Sequence, residues 1–437
     1  MRKFLMPSME AREDLPVISM EEEVLMTGEA ADDLAQAETE ISEVERVEDL
    51  ADALEDLAEV AETIEEATPT DLAMVETAAR AALAGSDVEV EEVLPALESY
   101  AGTRISVETI RDTARRLWDN IVEMLKKVWE KVEGFFYKIV GTIPRLRKAA
   151  EALKDRAEAT VGKSVEEAKT NLGGEAGTLA VGKAGPKTAG DVMGALDAVA
   201  SQGEVVFKKY AATVADAGEK MASAIGEFSI EKPEESLKKV VQASRALKLE
   251  EISKLCSAKA TNDTRWPNGV ASLAPALPGG KSIVYVLGHF DESAGALAGA
   301  EARRRTYAEV VQTEAKKGDS IRSGEISTLS TGDAIAIAEK VLGICDQIEE
   351  YQRGKGAKDI AKARDKMKDA GAKATKAMEK DRKDAGAAPI AQYKAAINFN
   401  VAYGRWATTP MGSLASISLA TCRAAIVVAN KSLSNYK

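Results

Sequence analysis

WPNGVASLAPALPGGKSIVYVLGHF, residues 266–290, breaks the helical spacing that dominates the rest of the chain's second half. Pro267-Asn268-Gly269 and Pro278-Gly279-Gly280 are turn sequences, because proline fixes φ and glycine accepts the backbone a tight turn requires. Ser282–Leu287 alternates and carries β-branched and aromatic side chains, which suits a half-buried strand. This stretch therefore predicts one small β-hairpin. On either side the apolar residues return to steps of three and four. Helix is expected from about Ala189 to Ala258, with a break near Lys232-Pro233, and again from Ala300 to Lys383. Residues 388–406 and 413–433 read as two closing helices around Thr408–Gly412. The fold class that follows is mainly α: a multi-helix bundle, residues 191–437, with a β-hairpin near 266–290.

Before this domain, residues 161–190 are rich in glycine (VGKSVEEAKTNLGGEAGTLAVGKAGPKT) and read as a loop. Residues 99–160 predict a helical hairpin. In ISVETIRDTARRLWDNIVEMLKKVWEKVEGFFYKIVG, Leu117, Ile121, Leu125, Val128, Val132, Phe136 and Ile139 form an apolar stripe flanked by Trp118 and Trp129. Ser106 is placed to cap this helix, Gly141 and Pro144 break it, and RLRKAAEALKDRAEA supplies the second arm. Such a stripe either packs in a bundle or lies on a membrane; Asp119, Glu123, Glu130 and Glu133 favour the bundle.

Residues 1–98 are a different material. They hold 5 Lys+Arg and 29 Asp+Glu, a net of −24, whereas residues 99–437 hold 53 and 42, a net of +11. All four tryptophans lie in the second part, and Phe4 is the sole aromatic before Tyr100. Residues 1–27 read as disordered. AADDLAQAETEISEVERVEDLADALEDLAEVAETIEEA reads as an acidic amphipathic helix with a thin apolar seam, and a second short helix ends near Gly85. A segment so poor in apolar area does not offset its ordering entropy alone, so it needs a partner or stays loose. A sign change of this size predicts two parts with different partners or different fates.

Three cysteines, Cys256, Cys345 and Cys422, are too few and too scattered for a disulfide framework. The start MRKFLMPSMEARED lacks the apolar core of a secretory signal. No uninterrupted apolar run reaches the ~18 residues that span a bilayer, so no stable membrane span is expected.

Candidate chemistry is sparse. GTLAVGKA (177–184) has the spacing of a phosphate loop but ends in Ala184 where a hydroxyl belongs, and Gly162-Lys163-Ser164 lacks the upstream glycine. Neither follows a predicted strand. His289 is the single histidine, without a nearby ligand pair or a nucleophile elbow. No cofactor, metal site or catalytic residue is expected, and the chain reads as a non-enzyme. Arg353 to Asp384 is more informative, with 12 Lys+Arg against 6 acids. Lys355, Lys358, Lys362, Arg364, Lys366, Lys368, Lys373 and Lys376 are candidate DNA-facing residues, able to neutralise phosphates without reading sequence. A solvated helix face with its own ion pairs is the competing reading.

Ala96-Leu97-Glu98 stands where the charge changes sign. It has the form Ser/Ala/Gly-x-Glu, shared by Ser8-Met9-Glu10, Ala11-Arg12-Glu13, Ser19-Met20-Glu21 and Ala53-Leu54-Glu55, and in the body by Ser106-Val107-Glu108 and Ser164-Val165-Glu166. SYAGTRISVETIRDTARRLWDNIVEMLKKVWEKVEGFFYKIVGTIPRLRKAAEAL follows, with a short Tyr/Gly/Ser lead, Trp- and Phe-rich helices and a Gly-x-x-Pro-Arg-Leu turn. Over residues 1–160 this resembles the internal head, or inner-body, proteins of the phiKZ-like giant tailed phages. The resemblance implies an acidic propeptide, 1–98, removed by the phage's prohead protease with a cut after Glu98 and before Ser99, and earlier cuts after Glu10, Glu21 or Glu55. It implies a virion structural protein, loaded with the capsid and core proteins in the host cytoplasm, trimmed before packaging and kept with the phage DNA. Ejection into the host, to meet a host protein there, is the further expectation. A prohead scaffolding or assembly protein, whose acidic arm is the working part, and an effector acting on a host protein or membrane are the alternatives.

Overall fold

The computed structural model describes residues 141–182, 185–263, 265–266, 269–288, 295–313, 324–381 and 387–437, together with Gly28. The acidic region and the first arm of the expected helical hairpin lie outside the described residues. What is described is mainly α, with two small antiparallel sheets.

Helix α1 spans 141–160 and is the expected second arm, although Gly141 and Pro144 are already inside it. Ile143, Leu146, Ala149, Ala150, Leu153 and Ala157 form its buried stripe. Strand β1 (Lys169–Asn171) and the short helix α2 (Glu175–Thr178) follow in the stretch expected to be loop. That stretch is anchored because Leu172, Ala176, Leu179 and Ala180 are buried. Helix α3 (Ala189–Gly203) starts at a capping box in which Thr188 and Asp191 satisfy each other's backbone donors. It continues through a π-helical segment, Glu204–Tyr210, into α4 (Ala211–Gly226). Helices α5 (Pro233–Ser244, with proline in its first turn) and α6 (Leu249–Leu255) complete this part.

The hairpin read from Pro-Asn-Gly and Pro-Gly-Gly is present as β3 (Gly269–Leu273) and β4 (Lys281–Gly288). It is the centre of a larger sheet, because β2 (Lys259–Thr261) and β5 (Tyr307–Gln312) pair on its two sides, in the order β2-β3-β4-β5. Helix α7 (Gly295–Arg304) separates β4 from β5. Tyr285 sits opposite both Ser272 and Ala308. Ile283 and Tyr285 point into the main core, while Val284 and Val286 join Ala271 and Trp266 in a small cluster on the other face. A second, two-stranded sheet pairs β1 with β6 (Glu325–Ser327). The continuous helix expected from Ala300 is thus interrupted by β5 and β6. YAEVVQ has β-branched residues but carries Glu309 in mid-strand, so only its pairing with β4 reveals it.

Helix α8 (Thr331–Arg353) begins at a second capping box, Ser330 with Asp333. Arg147 of α1 reaches Asp346 and, at 2.8 Å, Glu349 of α8, and Lys154 reaches Glu339 at 2.7 Å. Helices α9 (Lys355–Asp381), α10 (Ala387–Ile397) and α11 (Phe399–Leu433) close the fold. Helix α11 is the axis of the body. It packs on α3, α4, α8, α9 and β5, which is why its sequence is apolar on every side. Ala391–Leu433 contains an 18-residue stretch of mean hydropathy 1.6, long and apolar enough to cross a membrane by length and composition. Here that apolar window is 83% buried against protein.

The two helices expected around Thr408–Gly412 are one, with Pro410 inside. Proline has no N–H, so it leaves the carbonyl four residues back without its helical donor. That carbonyl belongs to Trp406, and the hydroxyl of Tyr210 donates to it at 2.9 Å. The π segment ends at Tyr210 and delivers this donor from a different helix. Tyr210→Phe is therefore expected to cost about 1–3 kcal/mol, the penalty of an unsatisfied buried acceptor. In a Pro410→Ala background, where an N–H is restored at position 410, most of that cost disappears. Denaturant unfolding of the four chains in this cycle measures the coupling; an equal cost in both backgrounds rejects this account.

Close packing at the axis also depends on Gly218 in α4. A Cβ there would lie 2.5 Å from the Tyr403 ring, whose hydroxyl donates to the Ile360 carbonyl at 3.2 Å. Glycine lets the ring lie against the α4 backbone and so joins α4, α9 and α11.

Candidate nucleic-acid interface

Helix α9 is built from two interleaved patterns. Ile360, Ala363, Met367, Ala370 and Ala374 are buried and recur at steps of three and four, the spacing that puts them on one face. That face packs on α4. Small alanines on the buried side draw the two helices close, and alanine and lysine elsewhere are strong helix formers.

The lysines form the second pattern. Lys355, Lys358, Lys362, Lys366 and Lys373 are exposed and fall within roughly 80° of one another around the helix, at 3.6 residues per turn. From Lys355 to Lys373 the row is about 27 Å long at 1.5 Å per residue. The side chain of Lys376 lies outside the described ones. Lys368 is exposed on the opposite flank, and Arg364 is half-buried and bonded to Asp365 at 3.0 Å. Those two therefore leave the row that the sequence grouped them with.

Part of the row is already committed. Lys366 donates to Glu219 of α4 at 2.6 Å, and Lys362 stands 3.7 Å from the same carboxylate. The hydrogen bond from Lys366 is the main reason that Glu219 is held below the usual carboxylate range. Lys355, Lys358 and Lys373 make no ion pair among the described residues. A row of ammonium groups on one helix, two of them sharing the Glu219 carboxylate and Lys355, Lys358 and Lys373 open to water, can attract polyanions by charge and does not distinguish bases. No aromatic lies on α9, so base stacking is not offered. The link from Lys366 to Glu219 spans 147 residues of sequence, and no local signal announces it.

The other sequence candidates are placed as follows. Glu10, Glu21, Glu55, Ala96, Leu97, Glu98, Ser99 and His289 lie outside the described residues, as does Ser106-Val107-Glu108. Ser164-Val165-Glu166 lies in the exposed connector after α1. Gly177 and Thr178 end the short helix α2, and Gly162 precedes no helix, so neither phosphate-loop match has the strand-loop-helix order. Cys256, Cys345 and Cys422 are buried and free. Burial pushes the Cys345 thiol up to about 12, far from the range of a reactive thiolate. Among the described residues no three of His, Cys, Asp and Glu converge as a metal site.

No curated protein and no solved structure matches this chain. A family model does: the one for phiKZ-like phage internal head proteins, over residues 20–431.

Proposed function

The chain belongs to the phiKZ-like phage internal head proteins, which places it inside the phage head, and from that premise we propose that it is a non-enzymatic companion of the packaged genome, released for that role by loss of an acidic propeptide. The observation that carries this reading is the division of charge at Ala96-Leu97-Glu98, −24 before it and +11 after it. Attached, the anionic part competes with DNA for the lysine row of α9 and lowers the potential over the whole body. A cut after Glu98 by the prohead protease reverses the net charge in one irreversible step. The body then neutralises phosphates on any sequence, as a protein packed against a whole genome must. The capsid and core proteins are its partners during assembly. Ejection with the DNA, and a host protein as target, are extensions of the same reading.

Binding to duplex DNA as a function of salt tests it. Chains of residues 99–437 are expected to bind at least about tenfold more tightly than chains of residues 1–437 at ~0.15 M salt, with an affinity that falls steeply as salt rises. Equal affinities, or a flat salt response, contradict the proposal.

A further inference from the structure

The connector between α1 and β1 is held by residues from the far end of the described chain. Residues 161–169 are all exposed, and an exposed loop is where endoproteases cut. A protease takes such a run as a strand and pairs with its backbone edge. In this fold that edge is occupied. Val165 pairs with Tyr436 in antiparallel fashion. The Ser164 N–H donates to the Lys437 carbonyl at 3.0 Å, the Lys437 N–H donates back at 3.0 Å, and the Glu166 N–H donates to the Asn435 carbonyl at 2.8 Å. Side chains fasten the pairing. Lys437 Nζ is 2.6 Å from the Glu166 carboxylate. Asn435 Nδ2 contacts the Lys169 carbonyl at 3.2 Å and the hydroxyls of Thr170 at 3.0 Å and Thr328 at 3.2 Å. Tyr436 donates its hydroxyl to the Leu329 carbonyl at 2.9 Å.

We propose that Asn435–Lys437 is a strap over a latent processing site, the Glu166–Glu167 peptide bond, which a glutamate-directed endoprotease cuts once the strap is lifted. Glu166 is the residue such an enzyme would read, and its carboxylate is the one that Lys437 pairs with. Hydrolysis adds one water across the bond, leaving a carboxylate on Glu166 and an amine on Glu167. It severs the backbone between α1 and β1. The strap therefore withholds this one glutamate, inside the body, from glutamate-directed trimming. In this it rests on the trimming reading above and names how the body escapes the same chemistry.

The test uses the full chain and a purified glutamate-specific endoprotease, with the rate of appearance of a new N-terminus at Glu167 as readout. Removing residues 435–437 is expected to raise that rate about tenfold or more, because cleavage no longer waits for local opening. Lys437→Glu, which keeps the backbone pairing and sets like charges together, raises it several-fold. Cleavage after Glu219 and Glu339, both within helices, serves as the control and stays unchanged. An unchanged rate at Glu167 in both variants overturns the proposal, as does a rise shared equally by Glu219 and Glu339. The outcome is independent of the N-terminus found in particles: an untrimmed virion chain would defeat the propeptide reading and leave the strap standing, and the reverse also holds.

Discussion

Replacing Lys355, Lys358, Lys362 and Lys373 with glutamine in the 99–437 chain is expected to weaken duplex-DNA binding about a thousandfold at ~0.15 M salt. The magnitude follows from counterion release. Each neutralised phosphate contributes a slope of about 0.9 in the log–log salt dependence, so four lysines account for a slope of about 3.6 and roughly three decades of affinity at that salt. The slope itself should fall by about 3 to 4, a change that loss of fold does not imitate. Glutamine keeps the helix propensity of lysine, and Lys366 is left to hold Glu219. Over about 27 Å the lysine row lies along roughly eight base pairs of duplex, at 3.4 Å per pair. Retention of the full salt slope would show that other surfaces carry the binding and that α9 is an ordinary solvated face.

Trp406→Ala should be the most damaging single change to the described body, at about 5 kcal/mol. Trp406 is fully buried on the axial helix. Its indole N–H donates to the Thr306 carbonyl at 2.7 Å, and its own carbonyl receives Tyr210. Thr306 in turn donates its hydroxyl to the Ala302 carbonyl at 3.0 Å and accepts from the Gly288 N–H at 3.1 Å. One side chain thus ties α11 to the junction of β4, α7 and β5. Truncating it leaves a large cavity, worth about 3–5 kcal/mol, and an unsatisfied carbonyl, worth about 1–3 kcal/mol. Set against a typical stability of about 5–15 kcal/mol, that is a large share. Trp406→Phe keeps most of the volume and should cost only about 1–3 kcal/mol. Denaturant midpoints separate the two; similar midpoints for Ala and wild type would remove Trp406 from this role.

Much of this fold was legible because the signals were local. Turn residues marked the hairpin, and apolar steps of three and four marked the helices around it. The misreadings came where a distant residue decides. Pro410 looks like a helix end until Tyr210, 200 positions upstream, supplies the missing donor. YAEVVQ looks like helix until β4 pairs with it. The 161–190 stretch looks like loop until Leu172 and Leu179 are found in the core. The candidate interface shows the same division. Lysine content and spacing were visible in the sequence, and helical spacing alone sets Arg364 and Lys368 off the row, whereas the pairing of Lys366 with Glu219 depends on how α9 sits on α4. The strap at Asn435–Lys437 joins segments some 270 residues apart, and nothing in either segment points to the other.

The central claim is that residues 1–98 are present during assembly and gone from the finished particle. Mass spectrometry of the chain recovered from purified virions tests it most directly. The account predicts peptides that begin at Ser99 and none from residues 30–90. Peptides from residues 30–90 in mature particles, at an abundance equal to those of the body, would contradict it.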